Sequence, residues 1–371
     1  MLVVGSGAAG ASAAIAAARE GARVLLIERN GFLGGNSTAT LDSFHGLFHR
    51  CGRGHARIVG GISHDVVGRL VEMDRVLQRV KLHGGLALAY NPSYLKVVWD
   101  QLVLDAGVTV LLHTVLQDAE VVDGRVVQVL VATKSGLQRV KARQFIDASG
   151  DADLVHFAGF GYDLAGDGEP AYDLTTTFTM AGVDVHRRHE VSWKEIREIQ
   201  QRAADSRAYD VPTKFRVSGD HAATLPGTMA AIMTQIPSVG ERDGVVVNAT
   251  DPELLTGAEI AGRRQVLEFV RFLRQEVPGY EEAELSGFGS QIGAPETRRI
   301  RGAYTITRDD VLNAQQFDDQ IAMFGSIAAE RFRDLNMAAE AASDDVLTVG
   351  IPWRALLPVG ATNLVVAGRC F

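Results

Sequence analysis

Apolar and polar positions along this chain follow two periods, and their order predicts its elements. Val3-Val4 is a short apolar run that stops at Gly5, residues 8–18 are apolar and rich in alanine, and Val24-Leu25-Leu26-Ile27 stops at Glu28. Short apolar runs with punctuation at their ends predict buried strands, and the small-residue stretch between them predicts a helix packed close on a sheet. Residues 65–82 carry a helical period. Asn91-Pro92-Ser93 starts a helix to about Asp105, with Pro92 early in the first turn and Gly107 just past the end.

Thr109–Leu112 is a short strand. Val115–Val122, the turn Asp123-Gly124 and Arg125–Thr133 form a hairpin that Leu137–Lys141 extends into a three-stranded meander. Phe145-Ile146-Asp147 re-enters the first sheet, and Ala148-Ser149-Gly150-Asp151 turns into a helix through residue 158. The texture then changes. Thr175–Met180 predicts a strand, Val191–Ala208 a helix, Thr224–Ser238 strand mixed with turn, and Glu253–Glu276 a long amphipathic helix ending at Val277-Pro278-Gly279. A helix follows Thr307-Arg308, and Asn363–Ala367 is the last strand. The fold class expected is α/β. A doubly wound domain with a β-meander covers 1–163, with 351–371 returning to it, and an inserted α+β substrate or cap domain covers 164–350.

Composition narrows the partners. A formal charge of −8 argues against nucleic acid. Two cysteines, Cys51 and Cys370, cannot build a disulfide framework, so a cytoplasmic location is expected, with no leader and no membrane span. The sequence does not set an oligomeric state.

The sharpest chemistry lies in Gly5-Ser6-Gly7-Ala8-Ala9-Gly10, which follows one strand and opens a helix, with Glu28 eighteen positions past Gly10 at the end of the next strand. This is a dinucleotide-binding pattern: glycines for the turn and for close approach of a pyrophosphate, a helix N-terminus for its charge, and an acid for ribose hydroxyls. A second glycine turn, Gly34-Gly35, leads to Asn36, Ser37 and Thr38, whose side chains and N–H groups suit phosphate or ribityl oxygens. The pattern serves NAD, NADP or FAD, so an NAD(P)-dependent dehydrogenase using the same turn is an alternative, with Arg29 beside Glu28 admitting NADP.

The N-terminal position of the pattern, the turn Gly34-Gly35-Asn36-Ser37-Thr38, and the meander followed by Ile146-Asp147-Ala148-Ser149-Gly150-Asp151-Ala152-Asp153 resemble the FAD-dependent oxidoreductases with a glutathione-reductase-type, Rossmann-like FAD domain. Leu254–Glu259, Thr297–Tyr304 and Asn363–Cys370 resemble a bacterial branch distantly related to fumarate reductase flavoproteins. The resemblance implies bound FAD, hydride transfer to or from a small polar substrate, and an electron partner that the sequence does not identify. It implies cofactor contacts at Gly5, Gly7, Ala8, Ala9, Gly10, Glu28, Arg29, Gly34, Gly35, Asn36, Ser37, Ser149, Gly150, Asp151, Gly368 and Arg369. Members of the branch continue past the Gly-Arg-Cys strand into a flavin-facing helix, and carry an arginine where Pro295 stands. The chain as given stops at Phe371, so a truncated or degenerate member with weak or no FAD binding and no activity is a further expectation.

Arg298 and Arg299 are candidates for a carboxylate clamp or an acid at a domain interface, and strand alternation keeps both from facing one site. His45, His49, Cys51, His55 and His64 cluster after the phosphate turn. His45 and His49 would share one face of a helix as a metal pair, or one histidine, His45, would serve as an acid or base. Ordinary polar packing of these histidines is favoured, and no metal site is expected.

Overall fold

The computed structural model describes residues 1–41, 44–46, 59–74, 78–82, 85–212, 219–324 and 348–371. Two compact units emerge. One contains Met1–Gly35, Phe44–Asp163 and Arg299–Phe371, and the other contains Asn36–Ser43 and Leu164–Arg298. The stretch from Arg299 toward residue 350, expected in the second domain, groups with the first unit.

The first unit is built on a five-stranded parallel sheet. Its order is Leu364–Val366, Phe145–Asp147, Leu2–Val4, Leu25–Ile27, Thr109–Leu111. The chain fills the sheet outward in one direction from Leu2–Val4, through Leu25–Ile27 to Thr109–Leu111, and then restarts on the other side with Phe145–Asp147. The order therefore reverses between Leu2–Val4 and Phe145–Asp147. In open parallel sheets such a switch point leaves a crevice outside the carboxyl ends of the strands, where ligands bind. Register sharpens the point: Val4 is level with both Ile27 and Asp147, and Asp147 with Val366. The next residues, Gly5, Glu28, Ala148 and Ala367, thus leave the sheet on one edge.

Ala8–Arg19 is the crossover helix, and Gly10, Ala11, Ala14 and Ile15 form its buried stripe. Small residues at a spacing of three to four let it lie close on Val3, Leu26 and Ala148 in one core cluster. Trp99, Leu95, Val98 and Leu102 of the Pro92–Asp105 helix complete that layer, with Asn91 capping the helix by accepting from the Ser93 N–H. The other face is covered by the meander, Val115–Val122, Arg125–Thr133 and Gly136–Val140. Its turn Asp123-Gly124 has φ of 47° and 72°, the left-handed pair a tight hairpin requires. Buried Asn363 stitches the meander to the last strand, accepting from the Val126 N–H at 2.9 Å and donating to the Val126 carbonyl at 2.9 Å.

Two expectations for this unit need correction. The helix predicted over 65–82 ends at Met73, and Gln78–Leu82 is a strand paired antiparallel with Gly85–Ala89. Phe44–Gly46 is a strand paired with the same Gly85–Ala89 segment, so His45 does not lie on a helical face.

The second unit carries a four-stranded antiparallel sheet in the order Gly219–Ala222, Thr228–Ile232, Phe178–Ala181, Glu284–Phe288. The strand expected over 175–180 begins at Phe178, while Thr175 makes only an isolated bridge to Gly293. The Pro252–Glu276 helix, capped by Asp251 through the Glu253 and Leu254 N–H groups, buries Ala258, Gly262, Val266, Phe269 and Leu273 in one stripe. Phe269 and Phe272 meet Phe178 and Tyr209 in the core of this unit. Within it, Arg188 clamps Asp220 with two hydrogen bonds of 2.7 and 2.5 Å, and the Tyr280 hydroxyl donates to the same carboxylate at 2.5 Å. No helix among the described residues is long and apolar enough to cross a membrane.

Candidate functional site

The glycine turn between Leu2–Val4 and Ala8–Arg19 is packed from both sides by protein, except at its middle. A side chain on Gly10 would place its Cβ 1.9 Å from the Gly5 carbonyl oxygen, and one on Gly5, where φ is +89°, would meet the Ala148 oxygen at 2.4 Å. Those two glycines are demanded by the turn itself. Gly7 differs. Its backbone, φ −57° and ψ 176°, suits any residue, and an added Cβ would find only the Gly35 Cα, 3.9 Å away. The protein gives no reason for glycine there, and the space in front of it is what a ligand backbone needs.

The helix starts at that point. Its first bond runs from the Ala11 N–H to the Gly7 carbonyl at 2.9 Å, so the N–H groups of Ala8, Ala9 and Gly10 precede the ladder. With the aligned peptide dipoles they make a site for an anion. Gly34 and Gly35 lie against the same turn. Gly34 N–H donates to the Ser6 carbonyl at 2.9 Å, Gly34 bridges Gly7, and Gly35, with φ +55°, sits so close that a Cβ would come within 2.7 Å of Gly7 Cα.

Glu28 is 5% exposed, and its carboxylate is already oriented. Oε2 accepts from the Ser6 N–H at 2.9 Å and the Ser6 hydroxyl at 2.6 Å, and Oε1 accepts from the Asn30 N–H at 2.8 Å. These bonds aim the acid at the glycine turn, and a carboxylate's four lone-pair directions leave capacity for a further donor. Ser6 is a residue the sequence reading missed, although it is the one polar side chain in an otherwise Gly/Ala turn.

The turn after Phe145–Asp147 forms the opposite wall. Ser149 N–H and hydroxyl donate to Asp147 Oδ1 at 3.0 and 2.7 Å. Asp151 accepts from Arg369 at 2.6 Å and has the Arg29 guanidinium 4.0 Å away. Gly150 lies under the Arg369 guanidinium, and Gly368 comes close to Ala9. Burial pushes the Cys370 thiol up to about 12, which makes it an inert core residue.

Most of the predicted cofactor residues therefore converge: Gly5, Gly7, Ala8, Ala9, Gly10, Glu28, Arg29, Gly34, Gly35, Ser149, Gly150, Asp151, Gly368 and Arg369 all belong to the first unit and line one sheet edge. The geometry fits a dinucleotide: an open cradle at Gly7, a helix start behind it, and an oriented acid at the neighbouring strand end. Asn36 and Ser37 open a short helix, Asn36–Ala39, in the second unit, where Asn36 accepts from Gln291 at 3.2 Å. Arg298 falls in the second unit and Arg299 in the first, both on the strand Arg298–Ile300. His45 lies on a strand level with Leu88, its side chain outside the described residues, as are His49, Cys51 and His55.

Comparison with known proteins gives one family. The chain matches the FAD dependent oxidoreductase model over residues 1–371. No curated protein matches it. Among solved structures it is similar to THI4 of Thermovibrio ammonificans, at 20% identity over 44% of this chain and 64% of that one, with a TM-score of 0.31. CabE, an aromatic hydroxylase from angucycline biosynthesis, is 13% identical over 82% of this chain and 54% of that one, with a TM-score of 0.45. The p-nitrophenol 4-monooxygenase PnpA of Pseudomonas putida is 12% identical over 82% and 69%, with a TM-score of 0.47. The chain thus spans about half to two thirds of the length of these structures. On the match along its whole length, this chain belongs to the FAD-dependent oxidoreductase family.

Proposed function

We propose that this chain is a flavin-dependent oxidoreductase whose first unit holds FAD across the switch point of its parallel sheet. The start of the Ala8–Arg19 helix, with Gly7 in front of it, takes the pyrophosphate, and Glu28 takes the adenosine ribose. The turn Ser149–Asp151, with Arg369 and Arg29 flanking Asp151, forms the facing wall, and Asn36 and Ser37 follow the second glycine turn as contacts for the rest of the cofactor. The observation that carries this reading is Gly7. It is the one glycine of the turn that neither backbone strain nor packing requires.

When bound, flavin supplies hydride transfer, and the protein supplies binding and orientation. The substrate we propose is a small polar molecule, with Arg298 or Arg299 holding an anionic group, since a guanidinium fork matches a carboxylate. His45 stands as a candidate for moving a proton. The donor or acceptor of electrons is a separate partner. The second unit, Leu164–Arg298 with Asn36–Ser43, is proposed to shape the substrate site.

The test is a titration of the purified chain with FAD, followed by flavin absorbance and fluorescence. Saturable binding that Glu28→Ala weakens about tenfold or more supports the assignment, because a ribose hydrogen bond to a charged acceptor is worth about 1.5–3 kcal/mol. A chain that takes up no FAD would remove the reading, and equal affinity in Glu28→Ala would remove the ribose assignment.

A further inference from the structure

We propose that Asp147 is a positioning residue for FAD: its carboxylate, fully buried, fixes the turn that forms the second wall of the nucleotide crevice. This rests on the FAD reading given above. Asp147 ends the strand next to the central Leu2–Val4, level with Val4, and its backbone is locked into the sheet. Ala148 N–H donates to the Val4 carbonyl at 2.8 Å, and the Asp147 carbonyl accepts from the Ala367 N–H at 2.9 Å.

The side chain then does something the strand does not need. Oδ1 accepts from the Ser149 N–H at 3.0 Å and the Ser149 hydroxyl at 2.7 Å, and Oδ2 accepts from the Val155 N–H at 2.9 Å, eight residues along the chain. The Ser149 hydroxyl in turn accepts from the Asp153 N–H at 2.9 Å. The short helix Asp153–Phe157 has Ala152 at its N-cap, in the left-handed region at φ 52°, with no side-chain cap of its own. Asp147 and Ser149 satisfy the N–H groups of Asp153 and Val155 in its place. An alanine is disfavoured in that backbone region, because its Cβ crowds the following carbonyl oxygen, so the conformation has to be imposed by its surroundings.

What this network holds is the wall itself. The Ala148 carbonyl and Ser149 Cα occupy the space that Gly5 leaves by lacking a side chain, at 2.4 and 2.8 Å from where its Cβ would be. Ala148 Cβ lies 2.9 Å from where a Cβ on Gly10 would be. Three residues after Ala148, Asp151 is caught by Arg369. Any rotation of the 148–152 turn is therefore transmitted to the glycine turn, because backbone meets backbone with no flexible side chain between. All three groups hydrogen-bonded to Asp147 are donors, which favours the ionised carboxylate, whereas burial first, and then the neighbouring Asp153 carboxylate, push its pKa up. An amide in its place keeps an oxygen for Ser149 but turns an NH2 toward the Val155 N–H, where two donors meet.

The experiment compares wild type, Asp147→Asn and Ser149→Ala by FAD titration. Hydrogen exchange across 148–156 and thermal unfolding are measured on each protein before FAD is added. The expected result is an Asp147→Asn protein with native helix content, faster exchange at Ser149, Asp153 and Val155, and FAD bound about 10- to 100-fold more weakly. That range corresponds to one charge-assisted hydrogen bond put out of reach. If Asp147→Asn does not fold, Ser149→Ala decides: faster exchange with weaker FAD binding supports the proposal, and unchanged affinity overturns it. Where both fold, the double variant is expected to bind FAD no more weakly than Asp147→Asn alone, since the two act through one network. Additive losses, or wild-type affinity in Asp147→Asn despite faster exchange, overturn the positioning role. Failure of wild type itself to bind FAD is a separate outcome, and it removes the cofactor assignment on which the proposal rests.

Discussion

Replacing Gly7 by alanine separates what the glycine turn does for the fold from what it does for a ligand. In the folded protein the new methyl group meets nothing closer than the Gly35 Cα, 3.9 Å away, and the backbone at φ −57° and ψ 176° is open to alanine. The cost to stability is the preference for glycine over alanine at a helix N-cap, offset by the reduced freedom of the unfolded chain, and nets within about 1 kcal/mol. The cost to binding is larger. A methyl projecting into the cradle holds a phosphate about an ångström away from the N–H groups that begin the helix. One charge-assisted hydrogen bond of about 1.5–3 kcal/mol is then lost. That is about 10- to 150-fold in Kd. The assay pairs FAD titration by flavin fluorescence with thermal unfolding of the FAD-free protein. Gly10→Ala is the contrast, because its Cβ would lie 1.9 Å from the Gly5 oxygen and the fold itself should fail. Gly7→Ala binding FAD as wild type does would refute the reasoning, as would Gly7→Ala unfolding as readily as Gly10→Ala.

Other consequences follow from the second unit. Burial holds the His221 imidazole down to about 4 from 6.5, so it folds neutral. Its contribution is complete above pH 6.5 and is lost as pH falls toward 4, about 3 kcal/mol in total. Denaturant midpoints measured across that window should fall in wild type and stay flatter in His221→Gln; parallel curves would contradict this. Arg188→Met leaves the Asp220 carboxylate buried with Tyr280 as its remaining side-chain donor among the described residues, and should cost about 3–5 kcal/mol in equilibrium unfolding; a loss under 1 kcal/mol would mean that water reaches it. Phe269→Ala, which opens the stripe of the long helix, should cost about 3–5 kcal/mol by the same measurement, and an unchanged midpoint would show that this core is not packed as described.

How much of this was legible in the sequence depends on the range of the signal. The opening strand, helix and strand, the Asn91 cap with Pro92, and the Asp123-Gly124 hairpin rest on neighbours within a few residues, and the structure has them where the pattern placed them. The 65–82 helix failed at Asp74 because Gln78–Leu82 finds a strand partner, and pairing with another segment overrides a helical period. One local signal was overlooked. Asp243-Gly244, with φ of 53° and 77°, is the same turn as Asp123-Gly124, and it joins the strands Val239–Arg242 and Val245–Asn248. At the site, the glycines and Glu28 could be read because each has its reason within one βαβ unit. The grip of Arg369 on Asp151 spans 218 positions, and the bond from Ser6 to Glu28 spans 22, so neither leaves a local trace. Asp147 did leave one: like Glu28, it is an acid ending an apolar strand at the same sheet edge.

The most direct measurement is calorimetric titration of the full chain with FAD, repeated in the presence of saturating ADP. If the adenosine diphosphate part of FAD lies over Gly7 with its ribose at Glu28, one FAD binds per chain and ADP lowers its apparent affinity competitively. Heats that show no saturable binding, or an FAD affinity that ADP leaves untouched, would contradict the placement of the cofactor at this sheet edge.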